Sequence, residues 1–109
     1  MTVKAFAQAT GFKEQCLPTP EKKVSGAYVG DLLSWVMGRA SASDAWITIM
    51  SNNNVVAVAT LCDASCIILA EGVTLDAQVL DLAKEKGVNV LLSELSTYET
   101  AIKVSGVLK

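Results

Sequence analysis

Three apolar runs recur in the second half of the chain, at residues 46–50, 66–70 and 88–92, each followed by a polar turn and a helix-like segment. Near-continuous apolar runs of about five residues are typical of strands that are covered on both faces. The connecting segments are long enough to cross over as helices. The pattern therefore predicts an α/β fold with a mainly parallel sheet flanked by helices.

An opening helix is predicted over residues 2–11. Thr2 is a suitable N-cap, Val3 and Phe6 lie on one helical face, and Gly11 stands where a left-handed C-terminal cap belongs. The helix would end at this glycine.

Two more strands and a second helix are predicted before the first apolar run. Residues 12–17 and 23–28 suit strands, because the prolines of segment 18–20 force an extended loop between them. The apolar spacing of residues 30–38 suits a helix, with Asp31 near its positive end.

The segment 52–61 has two interpretations. Its β-branched residues and the preceding asparagines suit a hairpin turn followed by a strand. A helix is favoured because Asn52 is a strong N-cap and because two neighbouring parallel strands need a right-handed crossover between them. We favour the helix.

Two further helices follow the second and third runs. Thr74 can cap an amphipathic segment that stops at Gly87. Ser96 and Glu99 fit a capping box, in which a hydroxyl and a carboxylate three residues apart satisfy free backbone N–H groups. The last helix then runs towards the C-terminus.

Length and composition predict one small domain over residues 1–109. Hydrophobic residues make up 51% and charged residues 18% of the chain, against typical values of about 45–50% and 25%, so part of the apolar surplus is expected between two subunits of a homodimer. The apolar runs are far shorter than the roughly 20 residues that span a bilayer, and the N-terminus resembles no signal peptide. We expect a cytoplasmic protein without a membrane contact.

Charge and side-chain chemistry argue against several functions. A net charge of −2 without a basic stripe makes nucleic acid an unexpected partner. The chain has no histidine, and Cys16, Cys62 and Cys66 are too few for structural zinc, so we expect reduced thiols and no metal. The seven glycines form no phosphate-binding fingerprint. We predict no catalytic residues, no enzyme activity and no cofactor.

Aspartates and tryptophans have structural interpretations as well. Asp31, Asp44, Asp63 and Asp76 are expected to cap helices or turns rather than to act in acid–base chemistry. Trp35 and Trp46 continue apolar patterns, so we expect packing, including packing across a subunit interface, rather than stacking on a ligand.

A ligand site is predicted at the loops that follow the parallel strands, where free N–H groups of the next helices converge. The residues concerned have small hydrogen-bonding side chains or none, and they are Ser51, Asn52, Asn53, Gly72, Ser93, Ser96 and Thr97. A nucleotide or a phosphorylated metabolite would suit them. The same residue types are also what turns and helix caps require, so both interpretations stay open.

Several segments together resemble a known family, namely 24–37, 46–49, 54–59, 67–69 and 96–101. They look like a stand-alone DRTGG domain, which is similar to the N-terminal domain of HPr kinase/phosphorylase. The resemblance implies a single three-layer-like α/β module. It also implies a regulatory domain that forms a homodimer and binds a protein partner, rather than a catalytic domain. The glycine pair expected after the strand is replaced here by Ala70-Glu71-Gly72, and the Glu71 carboxylate would repel a phosphate.

Overall fold

The computed structural model describes residues 1–108, which form five helices and five strands. The helices are α1 Val3–Thr10, α2 Leu33–Arg39, α3 Asn53–Leu61, α4 Ala77–Glu85 and α5 Thr97–Leu108. The strands are β1 Lys13–Cys16, β2 Gly26–Val29, β3 Asp44–Thr48, β4 Cys66–Leu69 and β5 Val90–Leu92.

All five strands belong to one sheet in the order β1-β5-β4-β3-β2. The strands β2, β3, β4 and β5 run parallel, and β1 pairs with β5 in the antiparallel direction. The prediction of a mainly parallel α/β sheet is confirmed. The three apolar runs became β3, β4 and β5.

The central strands are buried on both faces because their side chains alternate between two cores. Trp46, Ile67 and Leu69 belong to a core that includes residues of α2, α3 and α4. Ile47 and Ile68, one position along, belong to a second core with residues of α1 and α5. The molecule therefore has three layers, with the sheet in the middle.

The helical interpretation of segment 52–61 is confirmed, and the hairpin alternative is wrong. Asn52 caps α3 by accepting a hydrogen bond from Asn54 N at 3.0 Å through its side chain. The valines that suggested a strand are largely buried against the sheet, including Val55 and Val56. Tertiary burial therefore outweighs the weak helix propensity of β-branched residues.

The second helix differs from its prediction, because α2 begins at Leu33 and Asp31 does not cap it. The Asp31 carboxylate instead accepts hydrogen bonds from Thr48 Oγ1 at 2.7 Å and from Ile49 N at 3.0 Å. Because Ile49 follows the last residue of β3, its backbone N–H needs an acceptor outside the strand, and the Asp31 carboxylate supplies a strong one.

The predicted cap of α4 is also wrong. Asp76, rather than Thr74, accepts a hydrogen bond from Val79 N at 3.0 Å, so the helix begins at Ala77. Asp44 accepts from Ser41 N at 2.8 Å within a turn, and Asp63 pairs with the Lys22 ammonium at 2.9 Å. Among the four aspartates the expectation of a helix or turn cap holds for Asp76 and Asp44, but it is wrong for the other two.

The opening helix follows its prediction closely. Thr2 accepts a hydrogen bond from Ala5 N at 3.1 Å, and Gly11 ends α1 in the left-handed conformation at φ 75°. Within residues 1–108 no helix combines the length and the hydropathy needed to cross a membrane.

Candidate functional site

Two of the three predicted strand-end loops are tied directly to each other. Glu71 N donates a hydrogen bond to the carbonyl of Leu95 at 2.8 Å, and Gly72 N donates to the carbonyl of Ser93 at 3.0 Å. The loops after β4 and β5 consequently form one unit at the carboxyl edge of the sheet.

The N-terminus of α5, which a ligand anion would be expected to use, is occupied by the Glu71 carboxylate. One oxygen of this carboxylate accepts hydrogen bonds from Thr97 N at 2.8 Å and from Thr97 Oγ1 at 3.3 Å. Because helix N-termini attract anions, Glu71 stands where a bound phosphate would lie. We therefore expect Glu71 to repel phosphate at the N-terminus of α5.

The serines of the β5 loop are also engaged within the chain. Ser96 Oγ accepts from Glu99 N at 3.1 Å, as the capping box predicts, but the Glu99 carboxylate accepts from the Ser96 hydroxyl at 3.2 Å rather than from the Ser96 backbone N–H. The buried Ser93 hydroxyl is 2.8 Å from Thr100 Oγ1 and accepts from Leu95 N at 3.2 Å. These hydroxyls stabilise the start of α5.

Ser51, Asn52 and Asn53 lie apart from the other predicted residues. They line a shallow cavity of about 340 Å³ together with Asp76 and Gln78, between the starts of α3 and α4. The seven residues therefore fall into two groups, and the structure does not bring them into one crevice. Their role in ligand binding stays a prediction.

A larger cavity, of about 470 Å³, opens beside the joined β4 and β5 loops. Its walls come from residues 10–13, 72–74, 92–95 and 103, and we refer to it as the edge cavity. Gly72 and Ser93 are the two predicted site residues that line it. Lys13 and Lys103 line it as well, although they are 90 positions apart and no sequence motif connects them.

One wall of the edge cavity is fixed by Gln15, which sequence analysis did not single out. The Gln15 side-chain amide donates to the carbonyl of Leu75 at 2.9 Å and accepts from Leu75 N at 3.1 Å. This paired contact holds the segment that follows Gly72 against β1. A glutamine in a short strand carries no sequence signal for such a role.

The three thiols are free, and Cys16 and Cys66 are buried. Burial raises the pKa of all three, most strongly that of Cys66, to about 12. A thiol that stays protonated is a poor nucleophile and a poor metal ligand. Within residues 1–108 no three His, Cys, Asp or Glu side chains are grouped so that they could hold a metal ion.

Alkaline pH should destabilise the fold through Cys66. The unfolded chain releases this proton near the ordinary thiol pKa of 9.0, whereas burial raises the pKa in the folded chain to about 12, so the contribution is fully present below about pH 9 and is lost as the pH rises towards 12. Between these values the free energy of unfolding should fall by about 1.4 kcal/mol per pH unit from this thiol. Urea denaturation at several pH values should give a flatter slope for C66A than for wild type, and a smaller flattening for C62A. Equal slopes for wild type and C66A would contradict the assignment.

Removing the Glu71 carboxylate should weaken the start of α5. We expect E71A to lower the free energy of unfolding by about 0.5–2 kcal/mol, as other lost caps do. Glu71 also has φ 61°, a conformation that glycine adopts freely, so E71G should be more stable than E71A by about 1 kcal/mol. Thermal and urea unfolding of the two variants measures the difference. An E71A variant as stable as wild type would show that the contact contributes nothing.

The two tryptophans occupy different environments. Trp46 is fully buried, and its indole N–H donates to the carbonyl of Gly30 at 2.9 Å. Trp35 on α2 is half exposed, and the Arg39 guanidinium lies 3.7 Å above its ring centre. Core packing is confirmed for Trp46, whereas Trp35 has little cover within its own chain.

Comparison with known proteins agrees with the resemblance and with the fold. The model of the family described as DRTGG domain matches residues 23–107. No curated protein matches the sequence significantly. Among solved structures, the chain is similar to the CBS and DRTGG domains of the regulatory region of Clostridium perfringens pyrophosphatase, crystallised with the activator diadenosine tetraphosphate. That match has a TM-score of 0.72 and 15% identity, and it covers 94% of this chain and 45% of the other.

Proposed function

This chain belongs to the DRTGG domain family, and on that premise we propose that it is a regulatory module that acts by self-association and by contact with a partner protein. We propose that it has no catalytic activity and that residues 1–109 form a single domain. We also propose that it acts in the cytoplasm. The three free cysteines, two of which are buried, suit a reducing compartment. Several carboxylates that acid–base chemistry could use are instead engaged in caps, turns and loop contacts, as Asp76 and Glu71 illustrate.

The observation that carries this proposal is the incomplete burial of α2. In this helix only Val36 is buried, although the helix and its N-cap are rich in large apolar residues. Leu32 is 57% exposed, and Trp35 and Met37 are each 51% exposed. Trp35 and Met37 lie about 100° on either side of Val36 around the helix. The apolar arc is therefore much wider than the part that the chain itself covers, and helices of this kind are normally buried.

The neighbouring sheet edge favours the same surface. The strand β2 is an edge strand with the sequence Gly-Ala-Tyr-Val, and Val29 at its end is exposed. Exposed edges are usually protected by charged residues, as the opposite edge strand β1 is by Lys13 and Glu14. We infer that β2 and α2 together meet a second copy of the chain, which would cover both.

Replacing Trp35 should separate the two subunits. We expect W35D to raise the dissociation constant of the dimer at least about 30-fold, because an interfacial tryptophan contributes about 2 kcal/mol or more. Size-exclusion chromatography with light scattering measures the mass, and circular dichroism checks that the fold is kept. The matched control is Y98S, which changes an aromatic residue that is 75% exposed on α5, and it should remain dimeric. A W35D variant with the wild-type dissociation constant would contradict the interface.

A second candidate function is the sensing of a small ligand, an adenine nucleotide or a phosphorylated metabolite. Gly72 and Ser93, at the carboxyl ends of β4 and β5, line the edge cavity, and ligands of α/β sheets bind at such strand ends. The similar regulatory region was crystallised with a nucleotide activator. A ligand at 100 times its dissociation constant should add about 2.7 kcal/mol of stability in a thermal-shift screen.

A further inference from the structure

We propose that the edge cavity binds a nucleoside monophosphate, with the phosphate held by Lys13 and Lys103. This inference rests on the second proposed function, ligand sensing, and it does not depend on self-association. The cavity adjoins β1, at the opposite edge of the sheet from β2 and α2. Its volume of about 470 Å³ lies in the range of small-molecule sites, about 300–1,000 Å³.

The two lysines supply the phosphate end of the site. Lys13 comes from β1 and Lys103 from α5, and both line the cavity. No carboxylate within residues 1–108 lies within 4.0 Å of either ammonium group, in contrast to Lys22, which pairs with Asp63. An ammonium is a compact donor of three hydrogen bonds and a frequent phosphate ligand. Thr74 adds an exposed hydroxyl to the same cavity.

The one carboxylate among the lining residues, Glu94, suits the hydroxyls of a sugar. An ionised carboxylate only accepts hydrogen bonds, and a ribose offers two adjacent hydroxyl donors. Acidic side chains bind ribose hydroxyls in this way in dinucleotide sites. Glu94 follows Ser93 in the loop after β5, so the strand end positions it.

An apolar wall completes the cavity and suits a planar base. It is formed by Phe12, Val73, Leu92 and Leu95. Phe12 is almost fully buried, and Leu95 is 37% exposed. Binding sites of small molecules combine such apolar walls with a few placed polar groups. The set of two ammonium groups, one carboxylate and an apolar wall matches the phosphate, the ribose and the base of a nucleotide.

Isothermal titration calorimetry with AMP, ribose 5-phosphate and inorganic phosphate tests the proposal on the full chain. AMP should bind most tightly, because it alone uses all three parts of the cavity. K13Q/K103Q should weaken AMP binding at least about tenfold, since the charge-assisted hydrogen bonds from both ammonium groups to the phosphate would be lost. K4Q/K23Q, which removes the same charge from exposed lysines that do not line the cavity, should leave binding unchanged. E94Q should weaken the binding of AMP and leave the binding of inorganic phosphate unchanged.

Three outcomes would overturn the inference. The first is the absence of AMP binding, and the second is equal AMP binding by wild type and K13Q/K103Q. The third is inorganic phosphate binding as tightly as AMP, which would remove the nucleoside from the proposal. Light scattering on the same samples separates this inference from self-association. A monomer that binds AMP would contradict only the proposed dimer. A dimer that binds none of the probes would contradict only the proposed ligand site.

Discussion

The variant W46A should lose about 3–5 kcal/mol of unfolding free energy, which is the cost of deleting a buried tryptophan side chain. Trp46 lies on β3, between β4 and the edge strand β2, has no exposed surface and packs against the layer that contains α2, α3 and α4. Small domains have a total stability of about 5–15 kcal/mol, so much of the fold's stability would disappear. Urea denaturation followed by circular dichroism measures the change.

Two further variants separate the parts of this effect. W46F keeps an aromatic ring but loses the hydrogen bond to the Gly30 carbonyl, and it should cost about 1–3 kcal/mol. Y98A removes an aromatic side chain that is 75% exposed, and surface changes of this kind stay within about 0.5 kcal/mol. If W46A and Y98A had similar effects, the three-layer core as described would be wrong.

The second large effect is expected for N89A, at about 2–4 kcal/mol, because three hydrogen bonds of one buried side chain are lost at once. Asn89 is 1% exposed. Its side chain accepts from Thr19 N at 2.9 Å and donates to the carbonyls of Thr19 at 2.7 Å and Ser65 at 3.0 Å. One side chain thus joins the proline loop before β2 to the approach of β4.

The control for this variant is N53A, in which an exposed asparagine at the start of α3 is removed. It should change the free energy of unfolding by less than about 0.5 kcal/mol. Urea denaturation of both variants gives the comparison. A loss below about 1 kcal/mol for N89A would mean that water replaces the three contacts, and that the proline loop is not held by this residue.

The sheet could be predicted from the sequence because its signal is strong and local. The apolar runs of β3, β4 and β5 are covered on both faces, so no competing pattern of exposed positions hides them. The segment of α3 was ambiguous by propensity, and the requirement of a crossover between parallel strands decided it correctly. Here topology was more informative than the preference of individual residues.

Caps were less predictable because several side chains near a helix start can serve. Asp31 accepts a hydrogen bond from the backbone N–H of Ile49 at the end of β3, and Asp76, rather than Thr74, caps α4. Both outcomes depend on the exact residues at which helices and strands begin and end. Sequence spacing does not locate these boundaries to within one or two residues.

The sequence predicts one crevice at the carboxyl ends of the parallel strands, and the structure divides its residues into two groups. The helices α3 and α4 pack on one face of the sheet, whereas α5 packs on the other. The loop before α5 therefore leads away from Asn52, and it meets the loop at Gly72 instead. The face on which a helix packs is a property of the assembled sheet. Lys13 and Lys103 are distant in sequence, and they line one cavity because β1 and α5 both border it.

Sedimentation equilibrium of the full chain tests self-association through α2 most directly. Wild type should sediment at twice the chain mass of 11.5 kDa at micromolar concentration, and W35D should sediment as a folded monomer under the same conditions. A wild-type chain that stays at 11.5 kDa across this range would contradict the proposal that the exposed residues of α2 and β2 form a subunit interface.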